Sequence, residues 1–133
     1  MNPSWIEEFH NSADTLRVYK GGSLIFRSDK DRLAPLIDFL RDFAPAGGQA
    51  YFLDRVVGNA AALLLVKARC SEVYSEVGSE LAAHTLRDAG ITFEFKLTVP
   101  FIVNQSGDDM CPMEKLSLDK TPEDFWQELQ TSK

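Results

Sequence analysis

The stretch that decides the fold is residues 54–67, which read DRVVGNAAALLLVK. After Asp54, its polar residues are Arg55, Asn59 and Lys67, so a helix over this stretch is apolar on nearly every side. Such a helix belongs in the middle of a structure rather than on its surface. We therefore predict a central helix that begins after Asp54, with Asp54 as its N-terminal cap.

Strand and helix patterns alternate on both sides of this central helix. Gly21 and Gly22 separate two strand-like runs, which indicates an antiparallel hairpin. Strands are predicted over residues 16–19, 23–27, 49–53, 70–77 and 91–97. Further helices are predicted after Ser4, from Asp29 or Asp31 to residues 44–45, from Ser79 to Asp88, and after Thr121, with a loop at 46–48.

The resulting order is α-β-β-α-β-α-β-α-β-α. Helices that alternate with strands after an initial hairpin favour a mixed sheet with helices on both faces. We predict an α/β fold, a three-layer α-β-α sandwich with a mixed sheet. The length of the chain predicts a single domain over residues 1–133.

Composition excludes several classes of protein. The 133 residues include 14 Lys plus Arg and 20 Asp plus Glu, a net charge of −6 without a basic cluster, which argues against a nucleic-acid partner. The longest apolar run, residues 60–66, is well short of the ~20 residues of a membrane span. Without a leader-like amino terminus, we expect a cytoplasmic protein with no membrane role and with Cys70 and Cys111 as free thiols.

The first candidate site is residues 54–62. Ligands of open α/β sheets bind beyond the carboxyl ends of strands, where helix N-termini present free N–H groups, and Asp54 is predicted at that edge. Gly58 with Ala61 and Ala62 would form a flat helix face that a ligand or another backbone can approach. The Asn59 amide must find a partner, in the protein or in a ligand. The structural alternative is tight helix-on-sheet packing with Asp54 only a cap.

The second candidate site is residues 104–114, which read NQSGDDMCPME. Cys111 precedes Pro112, so its thiol is predicted at the first turn of a short helix, where the helix dipole lowers a thiol pKa. Cys111 and Asp109 are the candidate catalytic residues, with Glu114 as a second possible assistant. His10 and His84 cannot be placed near Cys111 from the sequence. Cys111 as a small apolar residue in a tight turn is the alternative.

Together the two segments resemble the signatures of a short prokaryotic family of unknown function whose members have a cytidine-deaminase-like fold. The resemblance runs from about Leu16 to Leu116. It implies a cytidine-deaminase-like fold in which the two helix starts border one pocket. Zinc deaminases carry H-x-E or C-x-E on the first helix and Pro-Cys-x-x-Cys on the second. This chain has neither, so the resemblance implies a deaminase-like domain without zinc or another cofactor.

Three functions remain open after this resemblance. The leading hypothesis is a domain that binds a small nucleoside- or nucleotide-like molecule. Its ligand-binding residues would be Asp54, Gly58, Asn59, Asn104, Asp109 and Cys111. The alternatives are a cysteine-dependent enzyme that uses Cys111, and a protein-interaction module that docks through Trp5, Phe125 and Trp126. The sequence leaves open whether a reaction is catalysed and which oligomer forms, a homodimer included.

Overall fold

A computed structural model describes residues 1–43 and 49–131 of the chain. Within these ranges there are five strands and six helices. The elements are α1 Pro3–His10, β1 Leu16–Lys20, β2 Ser23–Ser28, α2 Ala34–Phe43, β3 Ala50–Val57, α3 Asn59–Lys67, β4 Glu72–Ser79, α4 Glu80–Asp88, β5 Thr92–Val99, α5 Pro112–Ser117 and α6 Pro122–Thr131. The predicted helix end at 44–45 and the loop at 46–48 lie outside the described residues. None of the described helices is long enough and apolar enough to cross a membrane.

The five strands form one mixed sheet in the order β2-β1-β3-β4-β5. β1 runs antiparallel to both β2 and β3, whereas β3, β4 and β5 are parallel. Gly21 and Gly22 join β1 to β2 with φ values of 61° and 80°, a backbone conformation that glycine adopts without steric cost. The predicted α/β class, mixed sheet and hairpin are confirmed.

Alternate side chains of the strands enter two different cores. Val18, Phe52 and Val73 belong to the larger cluster, which also contains residues of α2, α3, α4 and α6. Their sequence neighbours Tyr19, Leu53 and Tyr74 belong to a smaller cluster with residues of α1. Because successive side chains of a strand point to opposite faces, helices cover both faces of the sheet.

The terminal aromatic side chains take part in this packing. Trp5 of α1 stacks on Tyr19 of the sheet, with ring centroids 4.2 Å apart. Phe125 of α6 is fully buried, and Trp126 packs partly buried against the larger cluster. These side chains therefore stabilise the fold, which is the common role of aromatic residues on packing helices.

The apolar helix α3 lies in the centre of the larger core, as predicted. Residues 59–65 are all buried, and α3 packs against α2, α4, α5 and α6. Its predicted start is wrong, because β3 continues to Val57 and places Asp54 inside the strand rather than at a helix cap. Pairing of Val56 and Val57 with Val77 and Gly78 of β4 extends the strand, so tertiary pairing overrides the capping preference of Asp54.

Several helix starts are set by local capping contacts. Ser79 accepts a hydrogen bond from the Ala82 N–H at 3.0 Å, which confirms it as the cap of α4. Thr121 accepts from the Asp124 N–H at 3.0 Å, which confirms the predicted start of α6. α1 is capped by Asn2 instead of Ser4, since the Ser4 N–H donates to Asn2 Oδ1. α2 begins at Ala34, later than Asp29 or Asp31 predicts.

Candidate functional site

The two predicted segments meet at the start of α3. The Glu114 side chain of α5 is 2% exposed, and its Oε1 accepts a hydrogen bond from the Asn59 N–H. Its Oε2 accepts from the Ile102 N–H at 2.9 Å. The residue before α3 is Gly58, which has no side chain to cap the helix. The Glu114 carboxylate supplies the missing acceptor and a favourable negative charge at the positive end of the helix.

The Asn59 side chain is completely partnered inside the protein. Its Nδ2 donates to the Ser117 hydroxyl at 3.0 Å and to the Ser117 carbonyl at 3.3 Å. Its Oδ1 accepts from the Thr85 hydroxyl. The amide therefore joins α3 to α4 and α5, which is the structural one of the two roles predicted for it. Among the described residues, every buried side-chain nitrogen and oxygen has a hydrogen-bond partner.

Gly58 is needed because Glu114 and Ile102 lie against it. A Cβ at position 58 would be 2.7 Å from Glu114 Oε1 and 2.8 Å from Ile102 Cγ1, both too close for a side chain. The prediction of a Gly58 face inside the helix is wrong, because Gly58 precedes the helix as its N-cap. A close approach at Gly58 does occur, but the approaching groups come from the segment after β5. Ala61 and Ala62 are buried in the larger core.

Asp54 is a buried carboxyl group inside the sheet. It is 9% exposed and lies in register with Leu16 of β1 and Ser75 of β4. Burial raises the pKa of Asp54 to about 7, against the opposing effect of hydrogen bonds from the Arg55 and Val56 N–H groups. Within residues 1–43 and 49–131, no cation forms an ion pair with it. Asp54 can therefore gain or lose a proton near neutral pH.

The neighbouring Arg55 is held on the α1 side of the sheet. Its guanidinium donates to the carbonyls of Phe9 and Ser12 and to Glu76 Oε2, at 2.7, 2.8 and 2.5 Å. It also lies over the Phe9 ring, 4.1 Å from the centroid. Arg55 therefore fixes α1 to β3 and β4, and its strongest contacts are with groups other than Asp54.

The loop at residues 104–111 is open to solvent. Asn104 Nδ2 donates to Asp108 Oδ1 at 3.0 Å, and this bond with that from Ser106 lowers the Asp108 pKa. Lys115 lies 2.5 Å from Asp109 Oδ2 and holds the pKa of that carboxyl below its ordinary value. Both carboxylates are exposed and ionised at neutral pH.

Cys111 is the N-cap residue of α5, as predicted. Its N–H donates to the Ile102 carbonyl at 2.8 Å, and its thiol is partly exposed. The two imidazoles are elsewhere: His10 contacts Glu76 and His84 contacts Asp88, each at 3.3 Å. Among the described residues, neither histidine makes a hydrogen bond with Cys111, so the contact between base and thiol that a cysteine nucleophile needs is not formed. The other thiol, Cys70, is buried, and burial raises its pKa.

Two surface grooves lie apart from the predicted site. The described part of the chain contains no group of three His, Cys, Asp or Glu side chains that could hold a metal ion. An open groove of about 400 Å³ lies between α1 and the sheet, with Ile6, Tyr74, Glu94 and Lys96 among its lining residues. A second groove lies along Glu7 and Glu8 of α1. Neither groove is lined by a predicted ligand-binding residue.

The structure therefore brings together only some of the predicted ligand-binding residues. Gly58 and Asn59 meet the segment after β5 through Glu114, whereas Asn104 and Asp109 lie on the exposed loop. Sequence reasoning missed Thr85, Ile102 and Ser117, and it considered Glu114 only as an assistant to Cys111. The available signal was Gly58 itself, because a helix that starts without a side-chain cap needs an acceptor from elsewhere.

Comparison with known proteins agrees with this fold. Residues 4–131 match a family model, TM1506, described as a domain of unknown function (DUF1893). Among solved structures, the chain is similar to a DUF1893 family protein from Thermotoga maritima, with a TM-score of 0.88 and 29% sequence identity. The match covers 96% of this chain and 86% of that chain. A search of the curated proteins finds no match. The family model covers nearly the whole chain, and the chain therefore belongs to the DUF1893 family of unknown function.

Proposed function

We propose that this chain binds a small nucleoside- or nucleotide-like molecule, with Asp54 as the central polar contact. The observation that carries the proposal is the burial of the Asp54 carboxyl without an ion pair to any described residue. Because its pKa is about 7, the carboxyl can either donate or accept a hydrogen bond at neutral pH. The amide and amino groups at the edge of a nucleobase need such a partner. Strongly shifted buried carboxyls concentrate at functional sites.

The position of Asp54 in the sheet supports the same function. It lies in the carboxyl-terminal half of β3, close to the sheet edge where ligands of open α/β folds bind. Two residues further towards that edge, one register row consists of Val56, Val77 and Leu97, and Val56 and Leu97 are 46% and 57% exposed. An apolar row beside the buried polar pair of Asp54 and Ser75 suits a flat aromatic base.

The charge around α3 favours a neutral part of the ligand over a bare phosphate. The Asn59 N–H at the start of α3, which could have bound a phosphate, already donates to Glu114. Asp108 and Asp109 add negative charge on the loop after β5. We therefore expect recognition of the base or sugar, or of a phosphate bridged by a cation such as magnesium.

Three further predicted residues belong to the proposal as outer contacts. Asn104, Asp109 and Cys111 would contact the ligand from the loop after β5. The cytidine-deaminase-like classification is also part of the proposal, and it is supported by the meeting of the α3 and α5 starts through Glu114. The catalytic roles of Cys111 and Asp109 stay predictions.

The proposal is tested by thermal unfolding with the four common nucleosides, and with nucleotides in the presence and absence of magnesium. A ligand at a hundred times its Kd stabilises the native state by about 2.7 kcal/mol. We expect at least one nucleoside to raise the Tm of the wild-type protein.

Two variants of Asp54 locate the binding. Asp54→Ala should remove the ligand-induced shift, and Asp54→Asn should retain binding but lose its pH dependence near pH 7. Asp88→Ala, which removes an exposed carboxyl on α4, is the control and should behave as wild type. An unchanged shift in Asp54→Ala, or no shift with any of these compounds, contradicts the proposal.

A further inference from the structure

β5 forms an open edge of the sheet. It is the last strand in the order and pairs with β4 on one side. In the described ranges, the backbone hydrogen bonds outside helices and strands do not involve residues 92–99. An edge strand of eight residues with free N–H and C=O groups is a template for another strand.

Two copies of the β5 sequence that run in opposite directions are complementary to each other. Residues 91–99 read ITFEFKLTV, with Phe95 at the centre. Residues equidistant from Phe95 form matched pairs. The pairs are Glu94 with Lys96, Phe93 with Leu97, Thr92 with Thr98, and Ile91 with Val99.

Charge distinguishes this register from the two neighbouring ones. In an antiparallel pair, two residues that face each other both point their backbone N–H and C=O groups towards the partner strand, or both point them away. Because this direction alternates along a strand, a residue can face its own copy but not the copy of its sequence neighbour. A symmetric pair of identical strands is therefore centred on a residue. A centre at Glu94 places two carboxylates opposite each other, and a centre at Lys96 places two ammonium groups opposite each other. A centre at Phe95 places Glu94 opposite Lys96 twice, which is the favourable arrangement.

The burial pattern of β5 fits the same centre. Glu94 and Lys96 are exposed on the side of the sheet that α1 covers in part. Phe93 and Phe95 are partly buried against the larger core, whereas Leu97 is 57% exposed. Pairing centred on Phe95 places Leu97 opposite Phe93 of the second copy, so the most exposed apolar side chain of the strand acquires an aromatic neighbour.

We propose that two copies of this chain associate by antiparallel pairing of their β5 strands, centred on Phe95, to form one continuous sheet. The occupant of the edge is a second copy because the charges, the apolar residues and the threonines of β5 are all complementary to those of a second β5 that runs in the opposite direction. This association does not depend on ligand binding at Asp54. An interface built mainly from one strand is small, so we expect a reversible equilibrium between monomer and dimer.

The test is sedimentation of the full chain over a wide concentration range, with charge reversals on the edge. Wild type should dimerise reversibly. Glu94→Lys and Lys96→Glu should each weaken the dimer roughly tenfold or more, because each places like charges opposite each other twice. The double variant Glu94→Lys with Lys96→Glu restores opposite charges and should restore the dimer. Glu8→Lys, an exposed reversal on α1, is the control and should dimerise like wild type.

Circular dichroism of every variant verifies that the fold is retained. A wild-type protein that is monomeric at all concentrations overturns the proposal and leaves the edge to a different partner. A dimer that survives both single reversals overturns it too. Failure of the double variant to recover the dimer rejects the register centred on Phe95.

Discussion

The carboxyl groups near the start of α3 differ sharply from those of the loop at 104–111. Asp54 and Glu114 are buried and are held mainly by backbone N–H groups. Asp108 and Asp109 are exposed and are held by the side chains of Asn104 in the loop and Lys115 in α5. Burial raises the pKa of Asp54, whereas hydrogen bonds lower the pKa values of Asp108 and Asp109.

The difference shows where a polar side chain can affect the fold. A buried carboxyl has left water, so each hydrogen bond that it makes or loses changes the free energy of unfolding substantially. An exposed carboxyl exchanges its partner for water at little cost. The free energy of unfolding is therefore far more sensitive to changes at Asp54 and Glu114 than to changes at the two aspartates of the loop.

The largest expected effect is the pH dependence caused by Asp54. The pKa of Asp54 is 3.8 when the side chain is in water, as in the unfolded chain, and about 7 in the folded protein. Between about pH 4 and pH 7 the folded state therefore retains a proton that the unfolded chain releases. The free energy of unfolding must then fall as pH rises through this window, by up to about 1.4 kcal/mol per pH unit and on the order of 4 kcal/mol in total. Above about pH 7 this contribution is constant.

Urea unfolding of wild type and Asp54→Asn at a series of pH values measures this effect. The variant should lack the contribution, so the difference between the two proteins should increase in favour of the variant from about pH 4 to pH 7. Taking the difference removes the contributions of the other titrating groups. Parallel curves for the two proteins would show that Asp54 is not a buried acid.

The second effect is the loss of the Glu114 carboxylate. Glu114→Ala leaves the Asn59 and Ile102 N–H groups without acceptors and should lower the free energy of unfolding by about 3 kcal/mol. Glu114→Gln keeps one acceptor oxygen and should lose less. Chemical denaturation measures both, with Glu8→Ala on exposed α1 as the control. A loss no larger than that of the control would mean that α3 is not capped by Glu114.

A smaller effect is expected at Gly58. Gly58→Ala places a Cβ against Glu114 and Ile102 and should cost about 2 kcal/mol, within the usual range for overpacking. Its penalty should be smaller in the Glu114→Ala background, because one of the two close neighbours is then absent. A double-mutant cycle measures this coupling. Strictly additive effects would show that Gly58 and Glu114 do not meet.

The smallest effect is expected at Asp109. Asp109→Ala removes an exposed ion pair with Lys115 and should leave the Tm within about 1 °C of wild type. Differential scanning calorimetry in low and moderate salt measures it. A loss comparable to that of Glu114→Ala would remove the distinction between the two groups of carboxyls.

Much of the fold could be predicted because its signals are local. The apolar composition of residues 60–66 identifies α3 as the central helix, and Gly21-Gly22 identifies the hairpin. The Ser79 cap depends on a residue three positions away. The need of Asn59 for a partner also follows from one amide in an apolar helix, although the sequence does not say that Thr85 and Ser117 supply it.

The sequence by itself determined the class of fold, the central helix and the polar residues that require partners. Only the tertiary structure decided that Asp54 lies within a strand and that Glu114, 55 residues beyond Asn59, caps α3. The physical reason is that strand length depends on pairing with β4, and the acceptor for a helix N-terminus can come from any segment that folds against it. Neither partner is encoded in the neighbouring residues, so the burial of both carboxyls emerged only when the distant segments came together.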